Sequence, residues 1–318
     1  MKKIILIICY FGNIPDYYKL WEVSALKNNT VDFLIYTDQN EIQQKGNIRV
    51  KHLNFSQLRE KIQSKFNFKI SLEKPYKLCD YKPAYGYIFD DEIKNYDFWG
   101  YCDMDLIFGN LRKFLSENVL ENSNVILNLG HLTLYKNTQE NKILFMKKGS
   151  IYPYTKVYST KYNYAFDEMS GMHKIFKENN ICPYLNIPIA DIDRKYARFK
   201  LENMKNYDKQ FFYYNNGIFR RYYTKEGKER EDEFCYLHFQ KKHPTININE
   251  SNYSMFTINK SGFCKFDKKM QNNYNYNQYI SKKAENEEKR KYIFNKLLDF
   301  MKCNISQKVI WIKQKVSI

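Results

Sequence analysis

Apolar runs alternate with amphipathic segments along the first third of the chain. The predicted strands span residues 4–9, 31–37 and 48–53, and the predicted helices span 16–28 and 56–66. The run at residues 4–9 is continuously apolar and predicts a buried first strand. Ser56 is the predicted N-cap of the second helix. This alternation predicts an α/β fold with a mostly parallel, Rossmann-type central sheet and flanking helices.

A fourth apolar run, residues 98–102, leads directly into Asp103-Met104-Asp105. In an extended chain the side chains of residues i and i+2 point to the same side, so Asp103 and Asp105 can converge on one divalent cation. Mg²⁺ and Mn²⁺ prefer such oxygen ligands and are often held by one or two carboxylates and substrate phosphates. Acids also cluster in solvated turns, but a turn does not explain the buried strand that precedes this pair. The pattern favours a metal–diphosphate site at the end of a strand.

Size and composition narrow the class of protein. The 318 residues are 43% hydrophobic, enough for one large domain or a domain with an appendage. No run approaches the roughly 18 apolar residues of a membrane-spanning helix, and the apolar start is favoured as a buried strand over a signal peptide. The seven cysteines have no paired spacing, which favours a reducing cytoplasm and argues against a disulfide framework or a zinc site.

The net charge of +17 predicts an anionic partner. The candidates are nucleic acid, an anionic membrane surface and a phosphorylated substrate.

A mixed aromatic and charged segment lies about two dozen residues before the acid pair. It runs from Lys77 to Gly86 and includes Asp80 and Lys82. One interpretation is a helix with a solvated face, kinked at Pro83. The other is a cationic contact to the phosphates of a nucleotide sugar, with Asp80 holding a lysine or a sugar hydroxyl. The residues alone leave both open.

The order of three motifs resembles glycosyltransferases of the GT-A fold, and especially a bacterial capsule and lipopolysaccharide transferase-like family. The motifs are Tyr10-Phe11-Gly12 after the first strand, the Lys-x-x-Asp-x-Lys-Pro-x-x-Gly segment from Lys77, and Asp103-Met104-Asp105. The resemblance covers about residues 3–242 and is strongest between 77 and 110.

The resemblance implies three further features downstream. A glycine-bearing loop behind the metal site matches Gly130, an acidic pair on the acceptor side matches Asp167-Glu168, and a late metal-binding histidine matches His238. Each has a structural alternative: the acids suit the start of a helix, and a histidine on a strand is often a core residue. The shorter acid comes first here, which departs from the family's pattern and leaves open which acid is catalytic.

The function implied is a metal-dependent glycosyltransferase that moves a sugar, with galactose as one candidate, from a UDP-sugar to a glycan or lipid-linked glycan of the cell surface. Asp105 and His238 are expected to bind Mn²⁺ or Mg²⁺, with Asp103 sharing the metal or the ribose. If the reaction inverts, Glu168 or Asp167 is the general base. The residues expected to contact the donor are Tyr10, Phe11 and Asp38 at the uridine, and Lys77, Asp80, Lys82, Lys241 and Lys242 near the diphosphate.

The chain changes character near residue 260. We expect residues 1–260 to form the GT-A-like domain and residues 261–318 to form a basic, helical C-terminal extension. Lysines there alternate with Trp311 and branched aliphatic residues, a composition that suits an anionic bilayer interface. A helix that packs back on the domain is the alternative. If the extension binds the bilayer, the protein is expected on the inner face of the cell membrane.

Two other functions remain as alternatives. A basic nucleic-acid-binding protein would explain the charge, but the chain lacks a recognisable nucleic-acid motif and the acid pair would be unexplained. We therefore expect no nucleic-acid partner. A metal-dependent nucleotidyltransferase also uses paired carboxylates, but a Gly-Ser type nucleotide motif near them is missing.

Overall fold

The computed structural model describes residues 1–196, 199–240, 242–259, 261–267 and 282–316, and the fold is mixed α/β. The strands are β1 (Ile4–Tyr10), β2 (Val31–Thr37), β3 (Ile48–His52), β4 (Phe98–Cys102), β5 (Leu106–Phe108), β6 (Val125–Leu129), β7 (Leu132–Lys136), β8 (Ala190–Asp191), β9 (Gln210–Asn215), β10 (Ile218–Lys225), β11 (Lys228–Phe234), β12 (Tyr236–His238), β13 (Ile246–Asn247), β14 (Met255–Asn259) and β15 (Gly262–Lys265). The α-helices are α1 (Tyr18–Leu26), α2 (Phe55–Gln63), α3 (Tyr85–Ile88), α4 (Asp90–Ile93), α5 (Leu111–Phe114), α6 (Glu117–Glu121), α7 (Gln139–Lys142), α8 (Tyr154–Tyr158), α9 (Met172–Glu178), α10 (Lys282–Lys302) and α11 (Ile305–Val316). Short 3₁₀ segments span Pro75–Ala84, Leu144–Met146 and Glu250–Asn252.

The central sheet has the order β3-β2-β1-β4-β7-β6. The first four of these strands are parallel, and β7 and β6 are antiparallel to their neighbours. Alternate residues of β1 pack into hydrophobic clusters on the two faces of the sheet, Ile5 and Ile7 on one face and Leu6 on the other. Burial on both faces explains why the strand is continuously apolar. The predicted mostly parallel central sheet is confirmed.

The chain reverses its direction across the sheet between β1 and β4. It runs outward from β1 to β2 and β3, and then returns to form β4 on the other side of β1. In open α/β sheets the crevice at the carboxyl ends of two such strands is the usual ligand site. Tyr10-Phe11 and Asp103 therefore meet at this edge of the sheet.

The structure differs from the sequence-based expectations in the cap of α2 and in the segment around Pro83. Helix α2 is capped by Asn54, not Ser56, because the Asn54 side chain accepts from Gln57 N and the Gln57 side chain accepts from Asn54 N. This reciprocal capping box satisfies two otherwise unpaired donors. The segment around Pro83 is a 3₁₀ segment followed by α3, not one kinked helix.

Two further sheets, one of three strands and one of six, were not predicted from the sequence. The first joins β5, β12 and β8, and the second has the order β11-β10-β9-β14-β15-β13. The second sheet packs a mainly aromatic cluster that includes Phe212, Phe219 and Phe256. Strand β15 pairs with β14, so this sheet extends past the predicted domain boundary at residue 260.

The last described residues form the two helices α10 and α11, in agreement with the predicted helical character of this region. Ile310 of α11 is buried in the hydrophobic cluster that also contains Ile5 and Ile7 of the central sheet. The ring centroids of Phe300 on α10 and Trp311 on α11 lie 5.0 Å apart. Among the described residues, no helix has both the length and the apolar character needed to cross a membrane.

Candidate active site

The acid pair lies at the carboxyl edge of the central sheet. Strand β4 ends at Cys102, and the backbone N–H of Asp103 donates to His131 O at 3.0 Å, which fixes the turn that follows. Met104 between them is buried, and both acids line the cavities described below. The predicted placement of both carboxylates at the end of a buried strand is confirmed.

The small sheet β5-β12-β8 brings His238 to the acid pair. In its register His238 lies opposite Leu106, the neighbour of Asp105, and beside Asp191 of β8. His238 Nε2 lies 3.6 Å from Asp105 Oδ2, and His238 Nδ1 lies 2.9 Å from Asp191 Oδ1. Three side chains from distant parts of the chain therefore form a row, with the imidazole in the middle.

Two carboxylates control the charge of His238. Burial alone would lower its pKa, but hydrogen bonds to Asp105 and Asp191 outweigh burial and raise the pKa of His238 to about 9. With Nδ1 assigned as the donor to Asp191, Nε2 is directed toward Asp105. A carboxylate behind the ring is the usual way in which proteins orient a metal-binding histidine.

Lys82 lies between Asp103 of the acid pair and Asp167. Its ammonium donates to Asp103 Oδ1 at 2.5 Å and to Gly130 O at 2.6 Å, and it lies 3.8 Å from Asp167 Oδ2. Burial would lower the pKa of Lys82, but Asp103 outweighs it, so the pKa rises well above the ordinary value. Lys82 is thus a buried cation that holds Asp103 in place.

Lys77 and Asp80 hold the loop that carries Asp167. The Lys77 ammonium donates to Asp80 Oδ2 at 2.7 Å and to the carbonyl oxygens of Val157 at 2.8 Å and Tyr162 at 2.5 Å. Asp80 in turn accepts from the backbone N–H groups of Tyr164 and Phe166. This network fixes residues 157–166 against the 3₁₀ segment and so positions the acids that follow.

Gly86, the last residue of the motif that begins at Lys77, allows close packing on the central sheet. A Cβ atom at this position would lie 2.3 Å from the Trp99 ring of β4. The motif glycine therefore lets the 3₁₀ segment and α3 lie directly on the central sheet.

Asp167 and Glu168 lie in turns before α9, which begins only at Met172. The alternative that these acids start a helix is wrong, because Gly171 is the N-cap residue of α9 and makes no side-chain cap hydrogen bond. Burial raises the pKa of Asp167 well above its usual range, with Lys82 opposing and Glu168 adding to the shift. Asp167 therefore favours its neutral form.

Glu168 lies against Gly130, the predicted loop glycine. A Cβ atom at position 130 would lie 2.4 Å from Glu168 Oε1. Any side chain at position 130 would displace the Glu168 carboxylate from its present position after β6.

Two cavities meet at the acid pair. We call the first the strand-edge cavity; it is about 350 Å³ and is lined by Tyr10, Phe11 and Tyr17. The second, the helix-covered cavity, is about 640 Å³ and extends to α11. The side chains that line both are Tyr76, Cys79, Lys82, Asp103 and Asp105. The helix-covered cavity also contains Asp167, Glu168, His173, Asp191, Arg194 and His238.

The donor atoms fit a hard divalent cation in part. Cis ligands of an octahedral ion with bonds of about 2.1 Å lie about 3 Å apart, close to the 3.6 Å between Asp105 Oδ2 and His238 Nε2. Carboxylate oxygen with one imidazole nitrogen suits Mn²⁺ or Mg²⁺. Within the described part of the chain, no group of three or more His, Cys, Asp or Glu side chains could hold the ion by itself. Further oxygen ligands, from water or a bound phosphate, would have to complete the coordination.

Other predicted donor contacts lie at varying distances from the cavities. Asp38 is exposed beyond β2, where it accepts from Gly12 N at 3.4 Å. The Lys242 ammonium donates to Tyr196 O at 2.5 Å, and burial lowers its pKa to about 8. Neither Lys77 nor Lys242 is among the described residues that line the two cavities. A phosphate contact by Lys77 would require its ammonium to leave its present acceptors. Lys241 lies outside the described residues.

Sequence reasoning missed one functional candidate, Asp191, and placed His131 only as a loop neighbour of the acceptor. Asp191 belongs to a second acid pair, Asp191-Ile192-Asp193, after an apolar stretch, and that pattern was a usable signal. His131 stacks on His238 with ring centroids 3.9 Å apart, and burial lowers its pKa to about 3. Its Nε2 atom is buried with no hydrogen-bond partner among the described residues. A neutral ring therefore supports the His238 imidazole from one side.

Comparison with known proteins identifies the family but no activity. No curated protein matches the chain. The sequence pattern of the Family of unknown function (DUF6625) matches residues 6–267. This range includes the side chains at the site, namely Lys82, Asp103, Asp105, Asp167, Glu168 and His238. Because this match covers most of the chain, the protein belongs to the Family of unknown function (DUF6625).

Proposed function

We propose that this protein is a metal-dependent glycosyltransferase of GT-A-like fold that moves a sugar from a UDP-sugar to a glycan or lipid-linked glycan. The observation that carries the proposal is the position of Asp103 and Asp105 in the wall shared by two cavities. A transferase needs separate spaces for donor and acceptor that meet at the bond being broken. The carboxyl edge between β1 and β4 is also where α/β sheets bind nucleotides.

The donor would lie in the strand-edge cavity. Tyr10, Phe11 and Tyr17 supply aromatic surface for the uracil, and the diphosphate would extend toward the acid pair. Asp105 and His238 are positioned to hold Mn²⁺ or Mg²⁺, with Asp191 orienting the imidazole and Lys82 holding Asp103. When bound, the metal ion neutralises charge on the departing diphosphate.

The acceptor would lie in the helix-covered cavity, beside Glu168. For an inverting transfer, Glu168 takes the proton of the acceptor hydroxyl. In the same step, the hydroxyl oxygen bonds to the anomeric carbon of the donor sugar, and the bond from that carbon to UDP breaks. Asp167 suits this task less, because its carboxyl group is buried and favours the neutral form. The loss of a general base typically costs about 10² to 10⁴ in rate.

The decisive experiment measures donor binding and transfer in separate variants. UDP or a UDP-sugar should raise the melting temperature only when Mn²⁺ or Mg²⁺ is present, because the two acids otherwise repel the diphosphate. Asp105→Asn should abolish that shift. Glu168→Gln should keep it and lose sugar transfer.

The control is Asp208→Asn, since Asp208 is an exposed acid outside the two cavities. It should behave like the unmodified protein in both assays. Equal stabilisation by UDP in EDTA, or in Asp105→Asn, would refute the assignment of the acid pair. Release of pyrophosphate instead of UDP would identify a nucleotidyltransferase.

A further inference from the structure

We infer that the outer face of α11, together with an apolar strip on α10, docks on an anionic phospholipid bilayer. The face consists of Ile305, Val309, Ile312 and Val316, which are 80%, 45%, 52% and 82% exposed. Their spacing of four, three and four residues places them within about 60° of arc on an α-helix. Four aliphatic side chains on one solvent-facing strip are unusual for a helix that has only water as its neighbour.

The opposite face of α11 is fully used inside the protein. Gln307 Nε2 donates to Asn163 O at 3.1 Å, and Gln314 Nε2 donates to Tyr164 O at 2.5 Å. Ile310 is buried in the core, and Trp311 lines the helix-covered cavity. Because this face is centred about 180° from the aliphatic strip, packing on the domain leaves the strip outward.

The charge around the strip selects the partner. Residues 289–316 contain eight basic residues and one acidic residue, Asp299. On α11, Lys308 and Lys315 lie on one side of the strip and Lys313 lies on the other by helical position. An apolar strip bordered by lysines suits a bilayer interface, where aliphatic side chains enter the acyl region and ammonium groups meet anionic headgroups.

Helix α10 adds a second apolar strip to the same end of the molecule. Phe294, Leu297 and Met301 are 60%, 55% and 69% exposed and recur at helical spacing. The Phe300 and Trp311 rings connect the two helices. Two exposed apolar strips on adjoining helices enlarge the area available to the lipid.

One face of α11 forms the docking surface, and the opposite face lines the helix-covered cavity. If the proposed function holds, on which this step rests, docking would bring the acceptor cavity to the bilayer surface. The acceptor would then be a lipid-linked glycan rather than a free saccharide.

The test is flotation of the full-length protein with vesicles, without donor or metal, so that it is independent of transfer. Binding should be strong to phosphatidylcholine vesicles that contain phosphatidylglycerol and weak to pure phosphatidylcholine. The triple variant Ile305→Gln, Val309→Gln, Ile312→Gln should lose at least about tenfold in vesicle affinity. The pair Lys308→Gln, Lys315→Gln should lose roughly fivefold per lysine and leave the aliphatic strip intact.

The matched control is Leu185→Gln with Met204→Gln, which removes exposed apolar side chains elsewhere and should bind vesicles normally. Point substitutions are preferred to deletion of residues 303–318, since deletion would also remove the buried Ile310 and Gln314. Normal vesicle binding in both the triple variant and the lysine pair would overturn the inference. So would a dimer of the unmodified protein that the triple variant converts to a monomer, because a second copy would then cover the strip.

Discussion

The pairing of Lys82 with Asp103 affects the protonation of the neighbouring Asp167. Its ammonium is paired with Asp103 at 2.5 Å, so the nearby Asp167 is an additional carboxyl group in a buried space. A buried ion that lacks its own partner is more costly than a neutral acid. This explains why burial raises the pKa of Asp167 even though a lysine lies 3.8 Å away.

We expect Asp167→Asn to stabilise the protein increasingly as the pH rises above about 4. Below that pH the carboxyl group is protonated in both the unfolded and the folded state, and the substitution changes little. Above it the unfolded state loses the proton while the folded state keeps it, because the folded pKa is raised. The unfolded state of the unmodified protein therefore gains stability, and its melting temperature falls relative to the variant.

The measurement is the melting temperature of both proteins from pH 4 to neutral pH in the absence of divalent metal. A difference that grows with pH in favour of Asp167→Asn is the expected result. A variant that becomes progressively less stable than the unmodified protein would show that the Lys82 ion pair dominates instead.

Asp191 is expected to act through His238. Asp191→Asn removes the carboxylate that accepts from Nδ1, so the ring loses its orientation toward Asp105. Changes of this kind typically weaken metal affinity by about 10- to 100-fold. The Mn²⁺ concentration that gives half of the UDP-dependent thermal shift should rise by that factor, whereas saturating Mn²⁺ should restore the shift.

His238→Ala provides the comparison for Asp191→Asn. It should weaken metal-dependent donor binding at all accessible Mn²⁺ concentrations. An unchanged Mn²⁺ requirement in both variants would show that the small sheet packs this histidine without using it as a ligand.

At the scale of elements, the 3₁₀ segment and the loop before α9 are joined by one buried ion pair. The Lys77 and Asp80 side chains are 3% and 0% exposed. Removal of one partner from such a pair leaves an uncompensated buried charge. The stability of this junction therefore decides where Asp167 and Glu168 lie.

We expect Asp80→Ala to lower the free energy of unfolding by about 3 to 5 kcal/mol. It leaves the Lys77 ammonium without its carboxylate and unpairs the N–H groups of Tyr164 and Phe166. Chemical denaturation measures the change. Asp91→Ala is the matched control, because Asp91 pairs with Lys94 at the same spacing of three residues and the same 2.7 Å but on the surface. The control should change stability little, and equal losses in the two variants would contradict the structural role of Asp80.

At the scale of the whole molecule, three sheets and the C-terminal helices surround one site. The central sheet supplies the acid pair, the small sheet supplies His238 and Asp191, and α11 covers the larger cavity. The second six-stranded sheet supports the small sheet through the aromatic cluster that includes Phe212 and Leu237. Each part is needed to bring side chains that are far apart in sequence within a few ångströms.

Some of this arrangement was determined by local sequence. The strands β1, β2 and β4 were predictable because burial on both sheet faces requires continuous apolar runs. The position of Asp103 and Asp105 at a strand end followed from the same pattern. Gly130 and Glu168 were located by resemblance to a family, and the structure places the Glu168 carboxylate against Gly130.

Only the tertiary structure decided which of the charged residues meet. Lys77 and Lys82 occupy the same motif, but one is buried in a structural pair and the other reaches the acid pair, because the 3₁₀ segment directs them to different neighbours. Asp191 joined the site through pairing of β8 with β12, a contact across 47 residues that local pattern does not encode. The apolar positions of α11 were visible in the sequence, but which of them face the core and which face outward depends on the surface that the rest of the chain presents. Sequence periodicity predicted β1, β2 and β4, whereas the long-range contacts that assemble the site are determined only when the elements pack.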